Sequence, residues 1–376
     1  MKLKSLCPLG TLLSTAIFVL TSTTPALADP VRNSQWHLDF LRVSEAHEIS
    51  RGQGITVAVI DTGVEPHPDL RKNLLRGFDL VEGGSGDGRQ DRSSHGTGMA
   101  GLIAAHGQAE RDGILGIAPQ AKILPIRDET ERIKGDADSI AGGIETAITE
   151  GAKVVNISSS SGPSPRLRSA IDRAMRADIL IFASAGNFPE DSVVTFPAIL
   201  EGVVAVGAVD RNGNHSPTSV TGSKVEIVAP GVDIVSTGLN GGYRKGTGTS
   251  GAAAIVSGAA ALVRSKFPDL SAAEVVHRLT ATAVDKGPPG RDEQYGYGVL
   301  DLVAALTADV PPLGTSPGPS ASPSPSPSGS SAAGDGPDDR PSEGWRPGFF
   351  VLGAVAAAGL AAVALFVSRR RRRGAG

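Results

Sequence analysis

Short apolar runs alternate with helical patterns along the central part of this chain, and this alternation restricts the fold more than any other feature. The helical patterns cover residues 139–150, 166–177, 251–266 and 271–282. The apolar runs predict buried strands at residues 55–60, 122–126, 153–157, 179–183 and 203–209. Strands that alternate with helices predict an α/β fold, in which a mostly parallel sheet is covered by helices on both faces.

The first 28 residues predict a secretory signal peptide. Two lysines precede an apolar run over residues 9–20, and an Ala-x-Ala cleavage site ends at Ala28. A spanning helix is the alternative, but the apolar run is short. Cys7 is the only cysteine and lies within this segment. We therefore expect the mature chain to have no disulfide, no cysteine nucleophile and no thiolate metal site.

The C-terminal end predicts a membrane anchor. Residues 349–367 carry no charge and would span roughly 28 Å as a helix, about the hydrocarbon thickness of a bilayer. Five arginines follow at residues 369–373, which predicts that this end is cytoplasmic. A buried core helix is disfavoured because no packing partner follows it. We expect a single-pass protein of the cell membrane, with a transmembrane helix at 348–368 and a basic cytoplasmic tail at 369–376.

The part between the signal and the anchor divides into a globular domain and a spacer. Residues 308–347 are rich in Pro and Ser and predict an extended linker, which leaves residues 29–307 as one domain outside the cytoplasm. The chain has 36 basic and 39 acidic residues. Without the two lysines of the signal and the five arginines of the tail, 29 basic residues remain, a net charge of about −10. This acidic balance disfavours nucleic acid as a partner.

Three motifs supply an acid, a base and a nucleophile. Asp61 ends the first apolar run, at the sheet edge where parallel folds place their sites. His95 opens a helix of small residues, and histidine suits general base and acid work near neutral pH. Ser250 starts an Ala-rich helix, whose free N–H groups can help to bind an oxyanion. Each residue also has a purely structural alternative: Asp61 could cap a turn, His95 could have no catalytic role, and Ser250 could be the N-cap of its helix.

Asn187 is a fourth element, because it follows the buried run at residues 179–183 and its amide can donate to an oxyanion. Residues 246–251 also fit the dinucleotide pattern G-x-G-x-x-G, but we expect a Gly- and Asn-rich loop before them rather than a strand, which disfavours nucleotide binding.

The loop after the first predicted strand carries a group of residues that could imitate a metal site. Glu65, His67 and Asp69 have the side chains of metal ligands, but they share a loop with Pro66 and Pro68. We therefore expect neither a metal nor a cofactor.

With these motifs in this order, the chain resembles the subtilase (S8-type) serine proteases over residues 36–306. The resemblance implies a subtilisin-like fold, a polypeptide substrate, a triad of Asp61, His95 and Ser250, and an oxyanion hole that includes Asn187. It also implies that one segment pairs with the substrate backbone, although it has serines where the family often has glycines: Ser158, Ser159, Ser160, Ser161 and Gly162.

The layout of signal, catalytic domain, Pro-rich linker and anchor resembles a narrower branch, the membrane-anchored mycosins of actinobacterial type VII secretion. That resemblance implies processing of secreted proteins and structural support of the secretion machinery. We expect a membrane-anchored serine endopeptidase. The alternative is a scaffold with little turnover that binds and stabilises the secretion complex.

Two departures from the family pattern affect these expectations. After the nucleophile the family usually has Met-Ala and then a Pro, whereas this chain has Gly251 and Ala254 at the first and last of these positions. Only residues 29–35 separate the predicted cleavage site from the start of the resemblance, so we expect no autoinhibitory prodomain.

Overall fold

The computed structural model describes residues 30–108, 112–129 and 136–313. The predicted signal peptide (1–28), most of the linker (308–347), the transmembrane helix (348–368) and the tail (369–376) lie outside them. Among the residues that are described, no helix is both long and apolar enough to cross a membrane.

The centre of the domain is a seven-stranded sheet in which every pair of neighbouring strands is parallel. Its strands are β1 Thr56–Asp61, β2 Phe78–Asp79, β3 Lys122–Arg127, β4 Val154–Ile157, β5 Leu180–Ser184, β6 Val203–Val209 and β7 Val225–Pro230. They lie in the order β2-β3-β1-β4-β5-β6-β7. The five predicted strands are thus confirmed as members of one parallel sheet.

Helices cover both faces of this sheet, as the sequence predicts. Val57 and Val59 of β1 face one apolar core, and Ala58 and Ile60 face the other, because successive side chains of a strand point to opposite faces. The helices are α1 Pro30–Ser34, α2 Trp36–Phe40, α3 Val43–Ile49, α4 His95–Ala104, α5 Ala137–Thr149, α6 Pro165–Arg176, α7 Thr249–Lys266, α8 Ala272–Ala281 and α9 Leu302–Thr307. The core beside α4, α7, α8 and α9 is distinct from the core beside α5 and α6.

Helix α7 runs through the larger core and is buried along most of its length. Its many alanines let it approach α4 and the sheet closely, because a methyl side chain adds little bulk. Helix α7 begins at Thr249, two residues before the predicted start, and continues to Lys266 without a break. Ala254, where the family usually has a proline, is the sixth residue of α7 and lies within this unbroken helix.

Two short strands form a hairpin that the sequence analysis missed. Strands β8 (Ile234–Thr237) and β9 (Tyr243–Gly246) pair antiparallel, and the Thr237 hydroxyl donates to the carbonyl of Thr97 in α4 at 2.6 Å. The predicted loop before Gly246 is therefore wrong, since a strand lies there. That strand belongs to a separate two-stranded sheet, so the Gly-rich segment still lacks the parallel βαβ setting of a dinucleotide site.

Candidate active site

Asp61 and His95 meet at the carboxyl edge of the parallel sheet. Asp61 is the last residue of β1 and is fully buried, and His95 is the first residue of α4. The His95 Nδ1 lies 2.8 Å from Asp61 Oδ1 and 3.0 Å from Oδ2. Because a carboxylate only accepts hydrogen bonds, Nδ1 carries the proton and donates it, and Nε2 of the neutral ring is free to act as a base.

The charges around His95 raise its pKa above the ordinary value of 6.5. Burial of the ring lowers the pKa, but the charge of Asp61 and the hydrogen bond to it together outweigh the effect of burial. Two more distant charges act in opposite directions, since Arg244 lowers the pKa and Glu129 raises it. Neutral, basic His95 is therefore present above this raised pKa and is lost as the pH falls through it.

We expect Glu129→Gln to lower the pKa of His95, because the substitution removes a nearby negative charge that favours the imidazolium. The acidic limb of the pH profile of kcat/KM is then expected to move to lower pH. Asp172→Asn, which removes an exposed carboxylate on α6, is the matched control and should leave the limb in place. A limb that does not move in Glu129→Gln would contradict the assignment of this limb to His95.

A buried carboxylate that the sequence analysis missed fixes the start of α4. Asp91 accepts hydrogen bonds from the Thr62 hydroxyl at 2.9 Å and from both the backbone N–H and the hydroxyl of Thr97, at 2.9 and 2.6 Å. The Thr62 hydroxyl in turn accepts from the backbone N–H of Gly96 at 3.0 Å. Asp91 thereby ties the residue after Asp61 to the residues after His95, which positions the pair. An acidic residue four positions before His95 was the available signal.

Ser250 is the second residue of α7, next to the end of β4. Its Oγ donates to the carbonyl of Ser158 at 3.1 Å, and the Ser158 hydroxyl donates back to the carbonyl of Ser250 at 3.3 Å. The residue at the N-cap is Gly248, so Ser250 is not the N-cap serine of the structural alternative. In this arrangement the Ser250 hydroxyl is directed at the carbonyl of Ser158.

Two further buried polar residues lock this junction, and the sequence analysis did not identify their roles. The Asn156 amide donates to the Ser158 hydroxyl at 2.9 Å, and the Ser257 hydroxyl donates to Asn156 Oδ1 at 3.1 Å. Asn156 and Ser257 are fully buried. These bonds hold the end of β4 against α7, because leaving such groups unpaired in the core would be costly.

Asn187 lies just after β5, with its side chain fixed by the start of α7. The backbone N–H of Thr249 donates to Asn187 Oδ1 at 2.9 Å, and the backbone N–H of Asn187 donates to Asp191 Oδ2 at 2.9 Å. Because an N–H only donates, the amide oxygen must face Thr249, which directs the Nδ2 group away from it. Gly248 permits this approach, since its φ is +155° and an added Cβ would lie 3.1 Å from Asn187 Oδ1.

His95, Asn187 and Ser250 line one cavity of about 180 Å³. Asp61 contacts His95 from outside this lining, so the structure brings together the four residues for which the sequence predicts the roles of acid, base, nucleophile and amide donor. The backbone N–H of Ser250 lies in the first turn of α7, where a helix offers no internal acceptor. The arrangement can therefore present a hydroxyl, a base and two N–H donors to one bound group.

The five residues predicted to pair with substrate follow β4 directly. Ser158 contacts Ser250 as described, and the backbone N–H of Ser161 donates to the carbonyl of Phe196 at 2.9 Å. Ser159 is half-buried, whereas Ser160 and Gly162 are exposed. Pairing of this segment with a substrate backbone stays a prediction.

The three residues considered as metal ligands make hydrogen bonds to backbone groups. The His67 ring lies 2.9 Å from the Gly242 carbonyl, and Glu65 Oε1 accepts from the N–H of Asn240 at 2.7 Å. Asp69 Oδ2 accepts from the N–H of Ile114 at 2.7 Å. Glu65 and His67 thus connect the loop after β1 to the turn between β8 and β9.

Known proteins resemble this chain in both sequence and structure. The model of the subtilase family matches residues 52–298. The thermostable alkaline protease of Halalkalibacterium halodurans is 37% identical over 267 residues, which is 70% of this chain and 71% of that protein. Mycosin-1 of Mycobacterium tuberculosis is 35% identical over 334 residues and 74% of each chain. The solved structure of the MycP3 protease from the type VII (ESX-3) secretion system is 36% identical, with a TM-score of 0.66 over 77% of this chain and 91% of that one.

Proposed function

Since this chain belongs to the subtilase family of serine proteases and is similar to the mycosins, we propose that it is a membrane-anchored, extracytoplasmic endopeptidase. It cleaves peptide bonds of secreted proteins and acts with a type VII secretion system. Asp61, His95 and Ser250 are its triad. Residues 29–307 form the peptidase domain, which the linker at 308–347 and the helix at 348–368 hold at the outer side of the cell membrane.

The observation that carries this proposal is the pairing of His95 with Asp61 beside Ser250 in one cavity. The Ser250 hydroxyl turns from Ser158 toward His95. A hydrogen bond between a catalytic hydroxyl and its base often tightens only when substrate is bound. Oγ attacks the scissile carbonyl carbon while Nε2 of His95 takes its proton. His95 then gives that proton to the leaving amine, and a water molecule repeats the two transfers to release the acyl group.

The oxyanion of the tetrahedral intermediate is bound by the Nδ2 amide of Asn187 and the backbone N–H of Ser250. Both groups are fixed before the substrate binds, since Asn187 is held through Thr249 and the Ser250 N–H through α7. Fixed donors stabilise developing charge without reorganising during the reaction. Asp61 keeps His95 in the required tautomer and stabilises the imidazolium that forms.

We expect Asn187→Ala to lower kcat for peptide hydrolysis by about 10²–10³, a range for which subtilisin is itself the reference case. KM should change little, because the lost hydrogen bond forms only in the transition state. Steady-state kinetics on a peptide substrate measures both constants. A variant that raises KM and leaves kcat unchanged would place Asn187 in substrate binding and not in the oxyanion hole.

The membrane location is supported by the uncharged stretch at 349–367 and by the five arginines that follow it. Similarity to Mycosin-1 and to the MycP3 protease supports the link to secretion. The test is expression of the full chain with a C-terminal tag in an actinobacterial host. In intact protoplasts, external protease should remove the peptidase domain and leave the tag protected. An accessible tag, or release of the chain by alkaline carbonate, would overturn the proposed topology.

One observation favours the scaffold alternative: the Ser250 hydroxyl donates its hydrogen bond to the carbonyl of Ser158 rather than to His95. The two functions are separated by secretion in a strain that carries Ser250→Ala in place of the native chain. An endopeptidase role predicts substrates that are secreted unprocessed or not at all. A scaffold role predicts normal secretion and processing, with loss of secretion only when the whole chain is deleted.

A further inference from the structure

The cavity beside the triad extends well beyond the reacting groups. Its floor is apolar and is formed by Met99, Leu102 and Ile234. Gly251 lies between this floor and Ser250, and a Cβ added there would lie 3.6 Å from Leu102 Cδ1 and 3.9 Å from Ile234 Cγ1. Position 251 therefore has room for a side chain. Because it holds a glycine, the floor stays open next to the nucleophile.

The position of the cavity places it on the side of the leaving amine. The segment at residues 158–162 is the predicted partner of the acyl part of a substrate, and none of its residues lines the cavity. Most of the lining comes from α4, from the β8–β9 hairpin and from the start of α7 with the two residues before it, and Asn187 and Gly231 complete it. His95 is the group that protonates the leaving amine, and it forms one wall. The residue that follows the scissile bond is therefore the one that enters this cavity.

Arg244, on β9, gives the cavity a positive charge. Its side chain lies across the first turn of α4 at Gly98, where an added Cβ would come within 2.8 Å of its Nη1 and 2.9 Å of its Cδ. Glycine at position 98 is thus a condition for this placement. The guanidinium is close enough to His95 to lower the pKa of its ring, and it lines the same cavity.

No acceptor of a described residue holds the guanidinium of Arg244 by a hydrogen bond or an ion pair. The next residue, Lys245, differs, because its ammonium lies 3.1 Å from Asp233 Oδ1 at an exposed site. Arg244 is half-buried, and an unpaired charge at such a site gains more from an opposite charge than one in bulk water does. A guanidinium also matches a carboxylate with two parallel hydrogen bonds.

We propose that Arg244 makes this cavity a subsite for an acidic side chain, so that the enzyme prefers Glu or Asp immediately after the scissile bond. The methylene groups of the substrate side chain lie on Met99, Leu102 and Ile234, and its carboxylate pairs with Arg244. This inference rests on the proposed function. It adds a preference that the triad alone does not supply.

The test uses the full chain and an ester substrate, whose acyl group passes either to water or to an added amino-acid amide. The amides are those of Glu, Gln and Lys, so that Glu and Gln differ in charge at nearly equal shape. We expect transfer to the amide of Glu to exceed transfer to that of Gln by about tenfold, the order of a hydrogen-bonded charge pair. Added salt should reduce this ratio, because it screens the pair.

Arg244→Met should bring the Glu-to-Gln ratio to about one, and Arg244→Glu should favour the amide of Lys. Lys245→Met removes the neighbouring, already paired cation and should keep the ratio of the unmodified enzyme. Equal transfer to Glu and Gln by the unmodified enzyme would overturn the subsite and leave the proposed function intact. Failure of that enzyme to hydrolyse any ester would overturn both. If a variant does not fold, the Glu-to-Gln transfer ratio of the unmodified enzyme still tests the subsite.

Discussion

Ser250→Ala is expected to lower kcat for peptide-bond hydrolysis by about 10⁶, the size of the loss known for subtilisin itself, which belongs to the same family. In the proposed mechanism the substitution removes the atom that forms the acyl bond, while α7 and the Asp61–His95 pair remain. Only catalysis by the oxyanion hole and by substrate binding would be left. The measurement is the release of product from a peptide substrate over hours at high enzyme concentration.

Ser265→Ala is the matched control, because it changes a serine of the same helix whose hydroxyl donates to the carbonyl of Gln53, away from the cavity. It should retain almost full activity. The Ser250→Ala protein should also unfold at nearly the same temperature as the unmodified chain. Activity of Ser250→Ala within tenfold of the unmodified enzyme would remove Ser250 from the role of nucleophile.

Asp61→Asn is expected to reduce kcat by about 10⁴, which is the scale of such a change in other Asp-His-Ser triads. An amide at position 61 can donate to Nδ1 of His95, and the ring then carries its proton on Nε2, where the base is needed. The side chain keeps its shape, and its oxygen can still accept the N–H of Thr62, so we expect the fold to persist. Steady-state kinetics and circular dichroism measure the two effects.

A buried carboxyl group at the same edge of the sheet serves as control. Burial raises the pKa of Asp128 well above its usual range, and the charges of Glu129 and Asp61 add to this. Burial thus disfavours the charged form of Asp128, and its two oxygens have no hydrogen-bond partner among the described residues. Asp128→Asn keeps the shape of a side chain whose oxygens have no partner among the described residues, and it should keep activity within a few-fold. An equal loss in both variants would mean that Asp61 acts through the fold and not through His95.

The strands that could be predicted from the sequence are those whose apolar pattern agrees with their burial in the sheet. The five predicted strands are short, mostly apolar runs with helices over both faces of their sheet, and such runs stay recognisable without any knowledge of their neighbours. Strand β7 was missed because Glu226 interrupts its apolar run. The β8–β9 hairpin was missed because Gly and polar residues dominate it, and its position depends on contact with α4.

The residues of the candidate site likewise fall into those that the sequence reveals and those that only the folded chain reveals. Asp61, His95, Asn187 and Ser250 each stand at the boundary of a strand or a helix, where their residue type is unusual enough to draw attention. The contribution of Arg244 depends on packing against Gly98, far away in the sequence. Contacts of that kind follow from the folded chain and not from any local pattern, so a single sequence does not reveal them.

The most direct test of the central claim is covalent labelling of the full-length chain, in detergent-solubilised membranes, with a fluorophosphonate probe. Such a probe reports an activated serine without any knowledge of the natural substrate. Our expectation is one labelled site at Ser250, with labelling lost in Ser250→Ala and retained in Ser265→Ala. A folded chain that takes up no label, or one whose labelling survives Ser250→Ala, would contradict it.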